Sequence, residues 1–267
     1  MSEGKQGKQE KKLKNARPVF TTGKMEHIFE FDQPGKKGKS AMYLSKYTSQ
    51  EAEEAMSSFE RMYMKIDGSC GALIRNEKGE FDIYARFDDT KKKFRDEDGK
   101  FTIPEGYLPL PEGGNSAKYE GHRYYLRKLN RPVEADEKGA PIKLKGEDVF
   151  VAQLYKSLDE ADTQELSLLP DFNSIELVGK NYNQTPGVVG NGIALHACQR
   201  LDIKFPAKQS PEEWLENLRT LMESEEGIIM EGVVIEHKGT WWKIRADHLC
   251  KGNKKDRSKY VPPVLLC

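Results

Sequence analysis

Residues 228–245, Ile-Ile-Met-Glu-Gly-Val-Val-Ile-Glu-His-Lys-Gly-Thr-Trp-Trp-Lys-Ile-Arg, constrain the fold more than any other stretch of the chain. Two apolar-rich runs, 228–237 and 240–245, are separated only by Lys238-Gly239. A two-residue break of that kind closes an antiparallel hairpin. Alternation along the second run puts Trp242 and Ile244 on one face and Lys243 and Arg245 on the other. Such a ribbon must bury its apolar face against another layer.

Other segments extend the pattern. Residues 63–75 read as strand, turn and strand, with Asp67-Gly68 as the turn signal. Residues 81–87, 148–157, 174–178 and 193–199 read as further strands. A helix is expected over 48–62, opened by a Ser or Thr cap. A second is expected over 210–225, where Ser-Pro-Glu-Glu supplies a cap and a proline at the first helical position. A glycine-rich loop spans 187–192. Residues 88–98 read as a charged, exposed loop, and 102–145, with Tyr119, His122, Arg123, Tyr124 and Tyr125, as an insertion with little regular structure. The expectation is an α+β fold of antiparallel strands with few helices and no internal repeat.

The 267 residues suffice for a sizeable core. No apolar run approaches bilayer length, so no membrane partner is expected. The 43 Lys and Arg balance the 43 Asp and Glu, and any basic surface must therefore be local. Residues 1–17 carry Lys5, Lys8, Lys11, Lys12, Lys14 and Arg17 without an aromatic side chain, and read as a basic disordered tail. Residues 18–267 read as a single domain with an insertion near 89–145. Cys70, Cys198, Cys250 and Cys267 form no cluster, which argues against structural zinc and a disulfide scaffold. With no secretory signal at the start, the expected compartment is intracellular, cytoplasmic or nuclear.

Three features carry chemistry. Lys65-Ile66-Asp67-Gly68 sets an amine in an apolar strand, where a lysine is costly unless it is used or paired. Burial and nearby cations lower an amine's pKa and can make it nucleophilic at neutral pH. Glu231 interrupts the apolar run 228–235. Seen alone it is an edge-strand carboxylate facing water; its functional reading is a ligand for a metal or a ribose. Lys243 and Arg245, adjacent on one strand face, repel each other unless an anion such as a phosphate lies between them. Together these groups can bind a nucleoside triphosphate and attack its α-phosphate.

In this set and order the chain resembles the covalent nucleotidyltransferases of the ligase and mRNA-capping superfamily. Lys65-Ile66-Asp67-Gly68 is similar to the nucleophile motif, Glu231-Gly232-Val233-Val234 to the late Glu-Gly motif, and Lys243-Ile244-Arg245 to the final cation motif. Tyr84-Ala85-Arg86-Phe87-Asp88 resembles the early arginine motif, and Ile175-Glu176-Leu177-Val178-Gly179 the middle glutamate motif. The surrounding text most resembles the single-domain vertebrate-type 5′-to-3′ RNA ligase. The resemblance implies an antiparallel-sheet, ATP-grasp-like ligase core and an ATP-dependent ligase joining RNA 5′-phosphate and 3′-hydroxyl ends through lysyl-AMP and adenylylated RNA. It implies Lys65 as nucleophile, Asp67 and Gly68 in the nucleotide pocket, Arg86 on the phosphate of the incoming end and Glu176 on the ribose. It implies Glu231 in adenylyl transfer with Mg2+ or Mn2+, and Lys243 with Arg245 on the α-phosphate. The partners implied are ATP and RNA, and a monomer is expected.

Met64 stands where many members carry a polar residue. The 22 residues after Arg245 (267 minus 245) leave no room for a C-terminal OB barrel, so RNA contact is expected from insertions instead. Candidates are Lys91, Lys92, Lys93 and Arg95; the aromatic-laced Arg123, Tyr124, Tyr125, Arg127 and Lys128; and Lys251, Lys254, Lys255, Arg257 and Lys259. His248 is a candidate to line the site; His27, His122, His196 and His237 receive no catalytic role. The alternatives are a GTP-dependent mRNA-capping guanylyltransferase and a catalytically silent RNA-binding relative, with a DNA ligase further off.

Overall fold

Strand pairing builds three sheets of mostly antiparallel strands, two large and one small, which with the helices make an α+β fold. The computed structural model describes residues 25–33, 41–89, 94, 97, 103–109, 124–179, 182, 191–196, 200, 201, 203, 205, 209–224 and 230–249. The basic tail, the clusters at 91–95 and 251–259, most of the glycine-rich loop, and Arg123 lie outside these residues. Among the described residues no helix is long and apolar enough to cross a membrane. The chain divides into two compact units, one of residues 25–67 and 199–260, the other centred on residues 68–198.

In the first unit, β1 (Glu26–His27), β4 (Arg61–Ile66), β11 (Met230–His237) and β12 (Thr240–Arg245) form a sheet in the order β1-β12-β11-β4. The expected hairpin is present: β11 and β12 pair antiparallel from Gly232↔Arg245 to His237↔Thr240. Lys238 and Gly239 both take positive φ, 48° and 75°, the left-handed pair that matches strand twist in a tight hairpin. A small sheet of β2 (Phe29–Phe31) and β3 (Tyr43–Tyr47) adjoins in sequence. Helix α1 (Gln50–Ser58) starts at a Ser49 cap, whose hydroxyl accepts from the Ala52 N–H. It ends short of the expected residue 62, because Arg61 and Met62 are drawn into β4 opposite Glu236 and Ile235. Helix α4 (Pro211–Glu223) has the expected cap: Ser210 and Glu213 bond reciprocally, with Pro211 first in the helix. Ala52, Ala55, Met56, Trp214, Leu215, Leu218 and Met222 from the helices enclose Met62, Val233, Ile235, Trp242 and Ile244 from the sheet.

In the second unit, β5 (Ser69–Arg75), β6 (Phe81–Asp88), β7 (Tyr107–Pro109), β8 (Tyr124–Lys128), β9 (Phe172–Gly179) and β10 (Asn191–Leu195) form an antiparallel sheet ordered β10-β9-β5-β6-β8-β7. Residues 148–157 are not the expected strand. They lie in α2 (Glu147–Asp159), followed by the short α3 (Thr163–Ser167). Val151, Leu154, Tyr155 and Leu158 recur at i, i+3, i+4 and i+7, and all four are buried against Leu73, Ile83, Ile175, Leu177, Ile193 and Leu195. The 102–145 stretch is also more regular than expected, since β8 pairs along β6 from Tyr84↔Lys128 to Asp88↔Tyr124. Its charges hide the strand in the sequence: Arg127 pairs with Glu147, and Lys128 with Asp82 at 2.6 Å. Asp67-Gly68 does not close a hairpin, because β4 joins the four-stranded sheet and β5 the six-stranded one.

Candidate active site

The face of the four-stranded sheet opposite the helices carries rows of side chains set by register. Lys65, Gly232 and Arg245 stand across β4, β11 and β12; Tyr63, Val234 and Lys243 form the next row; Arg61, Glu236 and Trp241 the third. Strict alternation would put Glu231 with Val233 and Ile235 in the core. A bulge between Met230 and Gly232 prevents this. The extra residue lets Met230 stay in the core while Glu231 turns over toward Lys65, the re-aiming a bulge produces. Glu231 is therefore not an edge-strand carboxylate facing water: β11 is flanked on both sides and its side chain is 14% exposed.

Glu231 divides its oxygens between two cations. Oε2 is ion-paired with Lys65 Nζ, and Oε1 lies 3.1 Å from Arg245 Nη2. Arg245 is fixed further by Asp247, which accepts from Nε at 3.0 Å and from Nη2 at 2.9 Å. The Tyr43 hydroxyl accepts from the Arg245 N–H at 3.0 Å and lies 2.6 Å from His27 Nδ1. His248 is buried, its Nδ1 2.8 Å from the Ala41 carbonyl oxygen and its Nε2 3.7 Å from Asp247 Oδ1. Burial, then the neighbouring charges of Lys65 and Arg245, pull the pKa of Lys243 down to about 8. Lys65, Lys243 and Arg245 thus gather beside Glu231, with Asp247 holding Arg245 from its other side, and the lowered pKa of Lys243 marks a locally positive field suited to an anion. Gly232 allows β11 and β12 to approach: a Cβ there would stand 2.0 Å from the Ile244 carbonyl oxygen.

Lys65, Glu231, Lys243 and Arg245 are therefore brought together on one face, and Asp67, half-buried, follows the end of that strand. Gly68, Arg86 and Glu176 belong to the other unit. There, Cys70 is the register partner of Glu176, and alternation places Arg86 on the same sheet face, opposite the one covered by α2. Glu176 is 9% exposed, and its Oε2 lies 3.0 Å from His196 Nε2. The other ring nitrogen of His196 lies 2.6 Å from Ser174 Oγ. Gly68 clears space for this carboxylate, since a Cβ would meet Glu176 Cγ at 2.6 Å and the Leu177 carbonyl oxygen at 2.5 Å.

Sequence reasoning passed over His196, Asp247, Tyr43 and Glu236. Only Asp247 had a local signal, two residues after Arg245. His196 reaches Glu176 through the pairing of β9 with β10, in which Ala194 faces Glu176. His196→Ala is expected to leave a buried carboxylate without its imidazole and to cost about 1–3 kcal/mol in urea unfolding. A loss below about 0.5 kcal/mol would show that Glu176 does not depend on it.

Among the described residues no group of three or more His, Cys, Asp or Glu could hold a metal. Magnesium, however, is commonly held by one or two carboxylates together with substrate phosphates. Glu231, with two oxygens at an anion-attracting face, fits a cation that arrives with a nucleotide. No family model matches the chain, and no curated protein matches it.

Proposed function

We propose that this protein is an ATP-dependent RNA ligase that joins 5′-phosphate and 3′-hydroxyl RNA ends through a covalent lysyl-AMP on a nucleotidyltransferase core. The observation that supports this most is the bulge-directed contact of Glu231 with both Lys65 and Arg245, with Lys243 alongside. A structural ion pair needs one cation, whereas Glu231 touches two, Lys65 and Arg245, and a third, Lys243, lies close enough to feel the charge of both. A triphosphate would offer Lys243, which has no carboxylate contact among the described residues of this face, an anion to hold.

In the proposed reaction Lys65 Nζ loses a proton, for which Glu231 is the carboxylate in contact, and its lone pair attacks the α-phosphorus. The N–P bond forms as the bond to the bridging oxygen breaks, and pyrophosphate leaves. Lys243 and Arg245 hold the phosphoryl oxygens as charge develops. Magnesium or manganese, with Glu231 as its protein ligand, would neutralise charge on the departing pyrophosphate. AMP then passes to an RNA 5′-phosphate, and a 3′-hydroxyl attacks that end and releases AMP. In the other unit, the held carboxylate of Glu176 suits a hydroxyl donor such as a ribose, and Arg86 a phosphate.

Lys243 supplies a test of the strain in this arrangement. Its folded pKa lies below the ordinary lysine value, so the protonated side chain costs stability at pH below about 8, and the cost fades as pH rises past 8. Lys243→Met is therefore expected to raise the Tm of the nucleotide-free protein at pH 7 by a few degrees while suppressing nucleotide attachment. A lowered Tm would refute the repulsion.

The deciding experiment is transfer of label from α-phosphate-labelled ATP or GTP in the presence of magnesium, read on a denaturing gel. Label from ATP supports the ligase, after which joining of 5′-phosphorylated RNA is assayed. Label from GTP alone moves the protein to the capping class. No label from either, with folded protein and several metals tried, overturns the covalent mechanism.

A further inference from the structure

The sheet face that carries Lys65 continues past the ion cluster. Each row lies two residues, about 6.7 Å, along the strands from the last. The Arg61–Glu236–Trp241 row is therefore about 13 Å of strand from the Lys65–Gly232–Arg245 row. That distance is comparable with the span of a nucleoside 5′-phosphate from its phosphorus to the far edge of a purine. Between the two rows lies Val234, an apolar side chain flanked by Tyr63 and Lys243.

The distal row is built around one acceptor. Glu236 has a side chain 13% exposed, and its Oε2 accepts from the Tyr63 hydroxyl at 3.2 Å and from Arg61 Nη1 at 3.5 Å. Tyr63 lies 5.4 Å from Trp241, ring to ring, so aromatic surface borders the carboxylate. A carboxylate has lone pairs for more than two donors. An acceptor beside aromatic and apolar surface suits a heterocycle whose edge donates. Adenine presents an exocyclic amine at its 6-position, and guanine and hypoxanthine present a carbonyl oxygen there. Facing Glu236, that oxygen would meet another acceptor and leave both without a donor.

We propose that Glu236, held by Tyr63 and Arg61, reads the 6-amino group of adenine and rejects 6-oxopurines, so that choice of ATP over GTP is made on β11, five residues beyond Glu231. This rests on the reading that Lys65 attacks a nucleotide α-phosphate. It goes beyond that reading by assigning the base.

The test compares covalent labelling from ATP, ITP and GTP, each labelled at the α-phosphate, on wild type and Glu236→Gln. Wild type is expected to prefer ATP by about 100-fold or more. The Gln amide can donate as well as accept, so in Glu236→Gln the ATP-to-ITP preference is expected to fall to within about tenfold. A preference unchanged within about twofold, on a variant that still labels, overturns the base assignment and leaves the ligase reading standing. Absence of label on wild type with every nucleotide overturns both. If Glu236→Gln does not fold, the wild type decides the matter with N6,N6-dimethyl-ATP, which lacks the donor. Loss of at least about tenfold relative to ATP supports the proposal, and equal use overturns it.

Discussion

On the proposed mechanism, replacing Lys65 by alanine is expected to abolish nucleotide attachment, a loss on the order of 10³-fold or more, while the protein stays folded. Folding survives because Glu231 keeps Arg245 as a partner at 3.1 Å, and because removing one of three crowded cations relieves Lys243. Lys65→Arg separates the two duties of this side chain. A guanidinium keeps the charge beside Glu231 but is not a nucleophile. The arginine variant is therefore expected to lose attachment as completely as the alanine variant. If arginine retained substantial labelling, Lys65 would be a charge partner and another residue the nucleophile. A supplied RNA with an adenylylated 5′ end should still be joined by either variant, because the final attack by a 3′-hydroxyl does not use the amine.

The second large effect concerns Gly232. Gly232→Val is expected to cost about 3–5 kcal/mol and to disrupt the site with the fold. A Cβ there would lie 2.0 Å from the Ile244 carbonyl oxygen and 2.9 Å from the Arg245 Cα, and both are backbone atoms that a side-chain rotation cannot move. The comparison is Gly239→Ala. Gly239 has φ 75° and nothing within 4 Å of where a Cβ would stand, so only left-handed backbone strain is added, about 1 kcal/mol. Urea unfolding of the two variants decides between close approach and backbone conformation. Equal losses would show that β11 and β12 tolerate a side chain between them.

Much of the hairpin unit was legible from the chain alone. The β11–β12 ribbon, its Lys238-Gly239 turn and the Ser210 cap of α4 depend on neighbours in sequence, and the structure has each of them. The sidedness of β12 was also legible, since Trp242 and Ile244 are core and Lys243 and Arg245 are not. The sequence reads α2 as a strand because Val149-Phe150-Val151 is a short apolar run rich in β-branched and aromatic residues, which a buried strand and a buried helix share. The 3.6-residue period shows only when Leu154, Tyr155 and Leu158 are counted with Val151. β8 was missed because its cations find their partners, Asp82 and Glu147, on other elements.

The sequence by itself determined which residue types recur on one side of which strand, where the hairpin turns, and which lysine precedes an Asp-Gly break. Those properties follow from side-chain period and turn chemistry, both local. Tertiary structure alone decided which carboxylate meets which cation. Alternation assigns Glu231 to the core, and only pairing with β4, whose Lys65 is 166 residues away in the chain, creates the bulge that turns it over. It also decided that β4 and β5 part into different sheets at Asp67-Gly68, and that His196 stands against Glu176. Register between distant strands is set by burial of whole faces, and no window of neighbouring residues contains that information.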